Sequence, residues 1–256
     1  MGEIHIRYDD AVAYERMMGT WSRAGGEIPP HGLRWVDVGC GSGAFTELLV
    51  ERCAPAHIEG VDPSEAQLSF ARKRLAGQIA RFRRGDALAL PFSQSKFDAA
   101  VMALVIFFVQ NPAASVVEMA RVVCPGGIIS AYVWDMNGGG HPLELMHTEM
   151  IAMGYTPPLP PRSDVTNLNL LCQLWREAAL GEIEGSQITV QRTFADFDDY
   201  WTTSTLAATV SQTIAAMDPT DVKHLKARMH ERLPGDSAGQ ITCSARANAI
   251  KGTRPR

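Results

Sequence analysis

The sequence predicts an α/β protein: a doubly wound, mostly parallel seven-stranded sheet with helices on both faces. Three observations predict it. Short apolar runs alternate with amphipathic segments through the first half of the chain, which is the pattern of repeated βαβ units. The run AAVMALVIFFV (99–109) is continuously apolar rather than alternating, as suits a strand buried on both faces. A glycine-rich turn, GCGSG (39–43), separates the first expected strand from the first expected helix.

The elements follow in order. LRWVDV (33–38) is a short strand, and FTELLVERC (45–53) has apolar residues at helical spacing after the glycine turn. HIEGVD (57–62) is the second strand. Pro63 and Ser64 open the next helix, EAQLSFARKRLA, with Ser64 as its N-cap. Its Arg72, Lys73 and Arg74 face water. ARFRRGDA (80–87) is the third strand, and FDAAVMALVIFFV begins with the fourth. The helix 112–123 has Pro at its first turn, CPGG (124–127) ends it, and IISAYVWD (128–135) is the fifth strand.

The second half is less regular. Gly138, Gly139 and Gly140 read as a flexible joint, followed by helices over 142–153 and 168–180. SQITVQRTF (186–194) and GQITCSARANAI (239–250) read as strands, with helical stretches between them. The whole chain, 1–256, reads as one domain. Residues 136–180 and 196–236 are expected to be insertions forming a lid over one end of the sheet. The terminal KGTRPR reads as a frayed tail. Trp134, Trp175 and Trp201 are expected in the core, and His141 and His147 on a surface or helix face.

Composition excludes several function classes. The 24 basic and 28 acidic residues give a formal charge of −4, which does not suit neutralising a nucleic-acid backbone. No apolar run approaches the roughly 20 residues that span a bilayer, and MGEIHIRYDD has no signal-peptide centre. The expectation is a cytoplasmic protein without a membrane or nucleic-acid partner. The five cysteines contain no Cys-x-x-Cys pair and read as small apolar residues. The seven histidines form no ligand motif, so no metal is expected.

The informative segment is VDVGCGSGAF (36–45). Glycine permits positive φ and a close backbone approach, and such a turn at the carboxyl edge of a parallel sheet forms a nucleotide-type crevice. The spacing Gly39-x-Gly41-x-x-Ala44 also satisfies the dinucleotide pattern, so an NAD-dependent oxidoreductase is one reading. Asp37, at the end of the first strand, would oppose a pyrophosphate but accept hydrogen bonds from an ammonium. Asp62 ends the second strand and can accept both hydroxyls of a ribose. Asp86, in GDA (85–87), can accept from an exocyclic amine, and the Ala87 N–H can donate to a ring nitrogen.

VDVGCGSG, GVDPS, GDALALPF, FDAAVMALVIFFV and the CPGG turn, in this order and spacing, resemble the class I S-adenosylmethionine-dependent methyltransferases. The likeness is to the type-11 group, related to the ubiquinone/menaquinone C-methyltransferases. It covers about residues 8–135 and implies a Rossmann-like methyltransferase fold. YERMMGTWSR (14–23) resembles the family's N-terminal cofactor-covering segment, placed here at 1–30. The resemblance implies that Gly39, Gly41 and Gly43 shape the turn around the methionine portion of S-adenosylmethionine, with Asp37 near its amino group. It implies Asp62 at the ribose, Pro63 beside the adenine, Asp86 and Ala87 reading the adenine, and Ala103 and Leu104 at the methionine moiety. Many relatives carry Leu-His-His after the fourth strand, where this chain has Ile106-Phe107-Phe108.

The implied activity is methyl transfer by in-line displacement to a small, partly hydrophobic acceptor, on O, N or C, leaving S-adenosylhomocysteine. A non-catalytic S-adenosylmethionine-binding protein is the alternative. Spacing assigns no catalytic residue; Asp135, His147 and Tyr200 are chemically suitable bases.

Overall fold

A computed structural model describes residues 31–74 and 79–256. The covering segment expected at 1–30, and the end of the helix at 75–76, lie outside the described residues. Seven strands form one sheet in the order β3-β2-β1-β4-β5-β7-β6. They are β1 (Arg34–Val38), β2 (His57–Asp62), β3 (Ala80–Arg84), β4 (Phe97–Ala103), β5 (Val123–Trp134), β6 (Gly181–Phe194) and β7 (Ile241–Thr253). Strands β1 to β5 are mutually parallel, and β7 runs antiparallel to both β5 and β6. The helices are α1 (Ala44–Cys53), α2 (Glu65–Arg74), α3 (Pro112–Val122), α4 (Glu144–Ala152), α5 (Leu168–Glu177), α6 (Phe197–Ser204), α7 (Ala208–Ala216) and α8 (Pro219–Arg232). This is the doubly wound α/β architecture that the alternation predicts.

The chain reverses its direction of winding between β1 and β4, which are neighbours in the sheet. The crevice outside the carboxyl ends of strands at such a point is where open α/β sheets bind ligands. β1 and β4 are buried along almost their whole length, which explains the apolar run Ala99–Ala103 and the paired Trp35 and Val36.

Four expectations change. CPGG does not precede the fifth strand but lies inside β5: Val123 pairs with Phe97, the register shifts, and pairing resumes at Ala99–Ile128. Gly126, at φ 82°, turns the backbone through this irregularity. The terminal residues are not frayed. The Arg254 N–H donates to Gly127 O at 2.9 Å and its carbonyl accepts from the Gly126 N–H at 2.7 Å, while its guanidinium reaches Ser95 Oγ and the carbonyls of Arg121 and Val123. A charged donor shared between a hydroxyl and two carbonyls, one of which also takes the Ser95 N–H, stabilises by about 1–3 kcal/mol. Arg254→Ala should therefore lower the melting temperature by several degrees, measured by differential scanning calorimetry; an unchanged value would show that the backbone bonds alone hold the tail.

The glycine triplet is clamped rather than free. Gly138 N–H donates to Asp135 Oδ1 at 3.0 Å, and Gly140 N–H to Asp135 O at 2.9 Å. Arg246 bonds Asp135 Oδ2 and Gly138 O. A Cβ at Gly138 would stand 2.2 Å from Asp135 Oδ2, and one at Gly140 2.9 Å from Arg246 Cβ. These two glycines serve close approach, not hinge motion.

Finally, residues 136–180 do not pack as one insertion. Helix α5 lies on the sheet: Leu171 and Trp175 belong to the main core, and Trp175 Nε1 donates to Ile129 O at 3.0 Å. Helix α4 instead joins α6, α7 and α8 in a second cluster, built on Met146, Met150, Tyr200, Val210, Leu225 and Met229. β7 supports that cluster because its residues 241–246 extend beyond β5 and pair with β6 alone. Among the described residues, no helix is long and apolar enough to cross a membrane.

Candidate functional site

The first strand delivers Asp37 to the crevice with its side chain fully buried. Its Oδ2 accepts the Thr46 hydroxyl at 2.6 Å, from the first turns of α1. Its Oδ1 is buried and has no hydrogen-bond partner. Burial pushes the Asp37 carboxyl up to about 7, against the Thr46 bond and aided by the nearby charge of Asp62. A buried carboxylate oxygen without a donor is costly, and its natural complement is a cationic hydrogen-bond donor.

Gly39, Gly41 and Gly43 all take left-handed conformations, at φ 78°, 51° and 81°. A Cβ on Gly39 would meet both Val105 methyls at 2.5 Å, so the turn closes directly on the chain leaving β4. Gly39 and Cys40 N–H both donate to Val61 O, at 2.7 and 3.0 Å, which ties the turn to β2. The Cys40 thiol is driven well up by burial and by the two carboxylates beside it, so it is inert packing.

Asp62 completes the link. Its Oδ2 accepts the Gly41 N–H at 2.9 Å and its Oδ1 the Ser64 N–H at 2.8 Å. Each carboxylate oxygen has a second acceptor site, and burial, opposed by these two bonds, raises its pKa. Pro63, next in the chain, is exposed.

The third carboxylate stands differently. β3 ends at Arg84, before GDA. Gly85 N–H donates to Asp62 O at 3.2 Å, which draws the segment to the tip of β2. Asp86 is exposed, and its Oδ1 accepts the Leu88 N–H at 2.9 Å, so it first shapes its own turn. Ala87 is half-buried against the main core. On the other flank, Ala103 ends β4, and Leu104 adopts φ 60° with its N–H on Tyr132 O at 2.9 Å. A left-handed leucine is strained backbone, of the kind held at functional sites.

All ten positions singled out in the sequence therefore come to one edge of the sheet. Asp37, the glycine turn and Asp62 are joined through shared bonds; Asp86 and Ala87 join them only through Gly85. Sequence reading missed Thr46, which fixes the Asp37 carboxylate, and Val105, which packs on Gly39. A hydroxyl two residues into the helix that follows a glycine turn was the available signal for Thr46.

Residues 36–131 match the type-11 methyltransferase family, described as a methyltransferase domain. The domain contains every site residue named above. A demethylmenaquinone methyltransferase of Desulfitobacterium hafniense is 36% identical over 103 residues, which is 38% of this chain and 41% of the relative. The chain spans about half the length, or less, of the curated relatives it matches. Among solved structures, phosphoethanolamine N-methyltransferase 2 of Haemonchus contortus, in complex with S-adenosyl-L-methionine, superposes with TM-score 0.55 at 16% identity, covering 96% of this chain and 57% of that one. The [4+2]-cyclase SpnF superposes with TM-score 0.54 at 20% identity, covering 95% and 79%. The methyltransferase fold thus also carries a cyclase name, and the reaction has to be argued from the site.

Proposed function

We propose that this chain transfers a methyl group from S-adenosylmethionine to a small, partly hydrophobic acceptor bearing an O, N or C nucleophile. The observation that carries this reading is the buried, unpartnered Asp37 Oδ1 beside three left-handed glycines. A ligand with an α-ammonium supplies the missing donor, whereas a dinucleotide pyrophosphate would meet a carboxylate there.

The remaining assignments follow the same edge. The turn at Gly39, Gly41 and Gly43 holds the methionine portion, with Ala103 and Leu104 opposite. The free acceptor sites of Asp62 receive ribose hydroxyls. Pro63, Asp86 and the Ala87 N–H border the adenine. Bound S-adenosylmethionine would supply an electrophilic methyl on a sulfonium, which would pass in line to the acceptor's nucleophilic atom while S-adenosylhomocysteine leaves as the neutral thioether. The chain's own work is to position the acceptor and exclude water.

Two of the three bases suggested by residue type are committed elsewhere. Asp135 is held by Arg246 and Gly138. The Tyr200 phenol is buried, bonded to Ser204, and raised far from any role as a base at neutral pH.

Isothermal titration with S-adenosylhomocysteine tests the cofactor half of the proposal. Saturable binding is expected, and Asp62→Ala should weaken it at least tenfold, about 1.4 kcal/mol. Absence of binding at millimolar ligand would reject the reading.

A further inference from the structure

Asp37 Oδ1 has a counterpart in the second cluster. His147, on α4, is only 6% exposed, and its Nδ1 is buried without a hydrogen-bond partner. Its Nε2 lies 3.2 Å from Thr209 Oγ1 on α7. The His141 ring packs against it, with centroids 4.9 Å apart. Both His141 nitrogens are engaged: Nδ1 accepts the Leu143 N–H at 3.2 Å and Nε2 meets Glu144 Oε2 at 2.8 Å. Burial drives both imidazoles down, His141 to about 3 and His147 to about 4, so both are neutral at pH 7. Thr209 Oγ1 can pair with Nε2 as donor or acceptor; in the tautomer that carries its hydrogen on Nε2, on which the inference below rests, Nδ1 of His147 presents a bare lone pair.

The location is as informative as the atom. His141 directly follows Gly140, whose carbonyl accepts the Arg246 N–H at the carboxyl end of β5. Two residues before β5 ends, Tyr132 O receives the Leu104 N–H from the proposed methionine site. An apolar wall of Phe45, Leu104, Tyr132, Trp134 and Cys243 runs from α1 and the tip of β4 toward the helical cluster, to which Cys243 also belongs.

We infer that His147 is an acceptor-recognising residue: its Nδ1 accepts a hydrogen bond from a neutral hydroxyl or N–H carried on an apolar acceptor molecule. This rests on the methyltransferase reading and deepens it by naming the acceptor class. A neutral lone pair in an apolar surrounding discriminates strongly, because an analogue without the donor leaves the nitrogen unpaired. His141, locked by Leu143 and Glu144, is the positioning residue that holds the His147 ring.

The test uses the full chain saturated with S-adenosylhomocysteine and three probes: 1-naphthol, indole and naphthalene. Calorimetry should find the two donors bound at least tenfold more tightly than naphthalene, with a perturbed His147 Nδ1 resonance in imidazole ¹⁵N spectra. His147→Gln keeps an atom near Thr209 and removes Nδ1, so the preference should collapse while S-adenosylhomocysteine affinity stays within twofold. His147→Asn places a polar atom near Nδ1 and should retain part of the preference. Equal affinity for the three probes, no binding of any of them, or a preference that survives in His147→Gln assigns Nδ1 to an ordered water and overturns the inference. Failure of wild-type protein to bind S-adenosylhomocysteine rejects the methyltransferase reading instead.

Discussion

Asp37→Asn should weaken S-adenosylhomocysteine binding about thirtyfold or more, and at pH 8 it should raise the melting temperature of the ligand-free protein. The two effects have one origin. Asp37 is fully buried, its Oδ1 has no partner, and burial lifts its carboxyl to about 7. The folded-state value is above the ordinary 3.8 of the unfolded chain, so between roughly pH 4 and 7 the folded protein holds a proton that the unfolded chain has released. Stability then falls as pH rises through this window, the reverse of a salt-bridged aspartate. Lifting the carboxyl from 3.8 to about 7 corresponds to a destabilisation on the order of 4 kcal/mol above pH 7. Asparagine carries no charge to desolvate, and its amide oxygen can still take the Thr46 hydroxyl.

Comparison of the two proteins isolates this one group from the other titrating carboxylates. The melting-temperature gap between Asp37→Asn and wild type should widen from pH 4 to 7 and then level. A gap that does not change with pH would mean that Asp37 is not the strained carboxylate. Binding has the opposite sign, because the ligand ammonium needs the ionised form. Wild-type affinity should fall as pH drops below 7, by up to tenfold per unit, and the Asp37→Asn profile should be flat. Site and scaffold therefore conflict at a single side chain, as expected where stability is given up for function.

The glycine turn and its flanking strands were legible because backbone geometry there depends on residue type. Three glycines at alternating positions specify left-handed turns, and strands buried on both faces read as unbroken apolar runs. The carboxylates at strand ends were legible as positions but not as partners: nothing in the spacing tells that Asp62 binds Gly41 and Ser64, or that Asp86 folds back on Leu88. The histidine pair was illegible for a different reason. Helix α4, ELMHTEMIA, buries the polar His147 and Glu149 beside Met146 and Met150 while it exposes Ile151, so apolar periodicity assigns His147 no face. Its burial is set by α7, which packs on it from 62 residues away. The terminal KGTRPR misleads in the same way. Its composition is that of a solvated tail, yet the Arg254 guanidinium reaches carbonyls at the end of α3 and the irregular start of β5, about 130 residues back in the chain.

The same distance in sequence governs the ion cluster that holds α4 in place. Glu149, 1% exposed, accepts from Arg228 Nε at 2.6 Å and from Arg232 Nη1, both on α8. The guanidiniums are about half exposed, so the two sides of the cluster are not equivalent. Arg228→Ala combined with Arg232→Ala leaves a buried carboxylate with no counter-charge, and should cost about 3 kcal/mol or more at pH 8. Glu149→Gln releases two arginines that can turn to water, and should cost clearly less. Adding Glu149→Gln to the double variant should restore part of what was lost, since the orphaned charge is then gone. The two arginines, outweighing burial, hold the Glu149 carboxyl below its ordinary value, so wild type loses this contribution as pH falls through that lowered value. Without the arginines burial alone acts and the carboxyl rises, so the double variant should be relatively more stable in acid. Urea denaturation of wild type and the three variants from pH 8 down to about pH 3 measures all of this; equal losses from either side would show that water reaches Glu149 and that the pair is not buried in effect. Because Glu149 and His147 share α4 while Asp37 and Asp62 stand on β1 and β2, S-adenosylhomocysteine affinity should stay within twofold in every folded variant. A loosened α4 should instead erode the preference for 1-naphthol over naphthalene, which separates the helical cluster's role from that of the glycine turn.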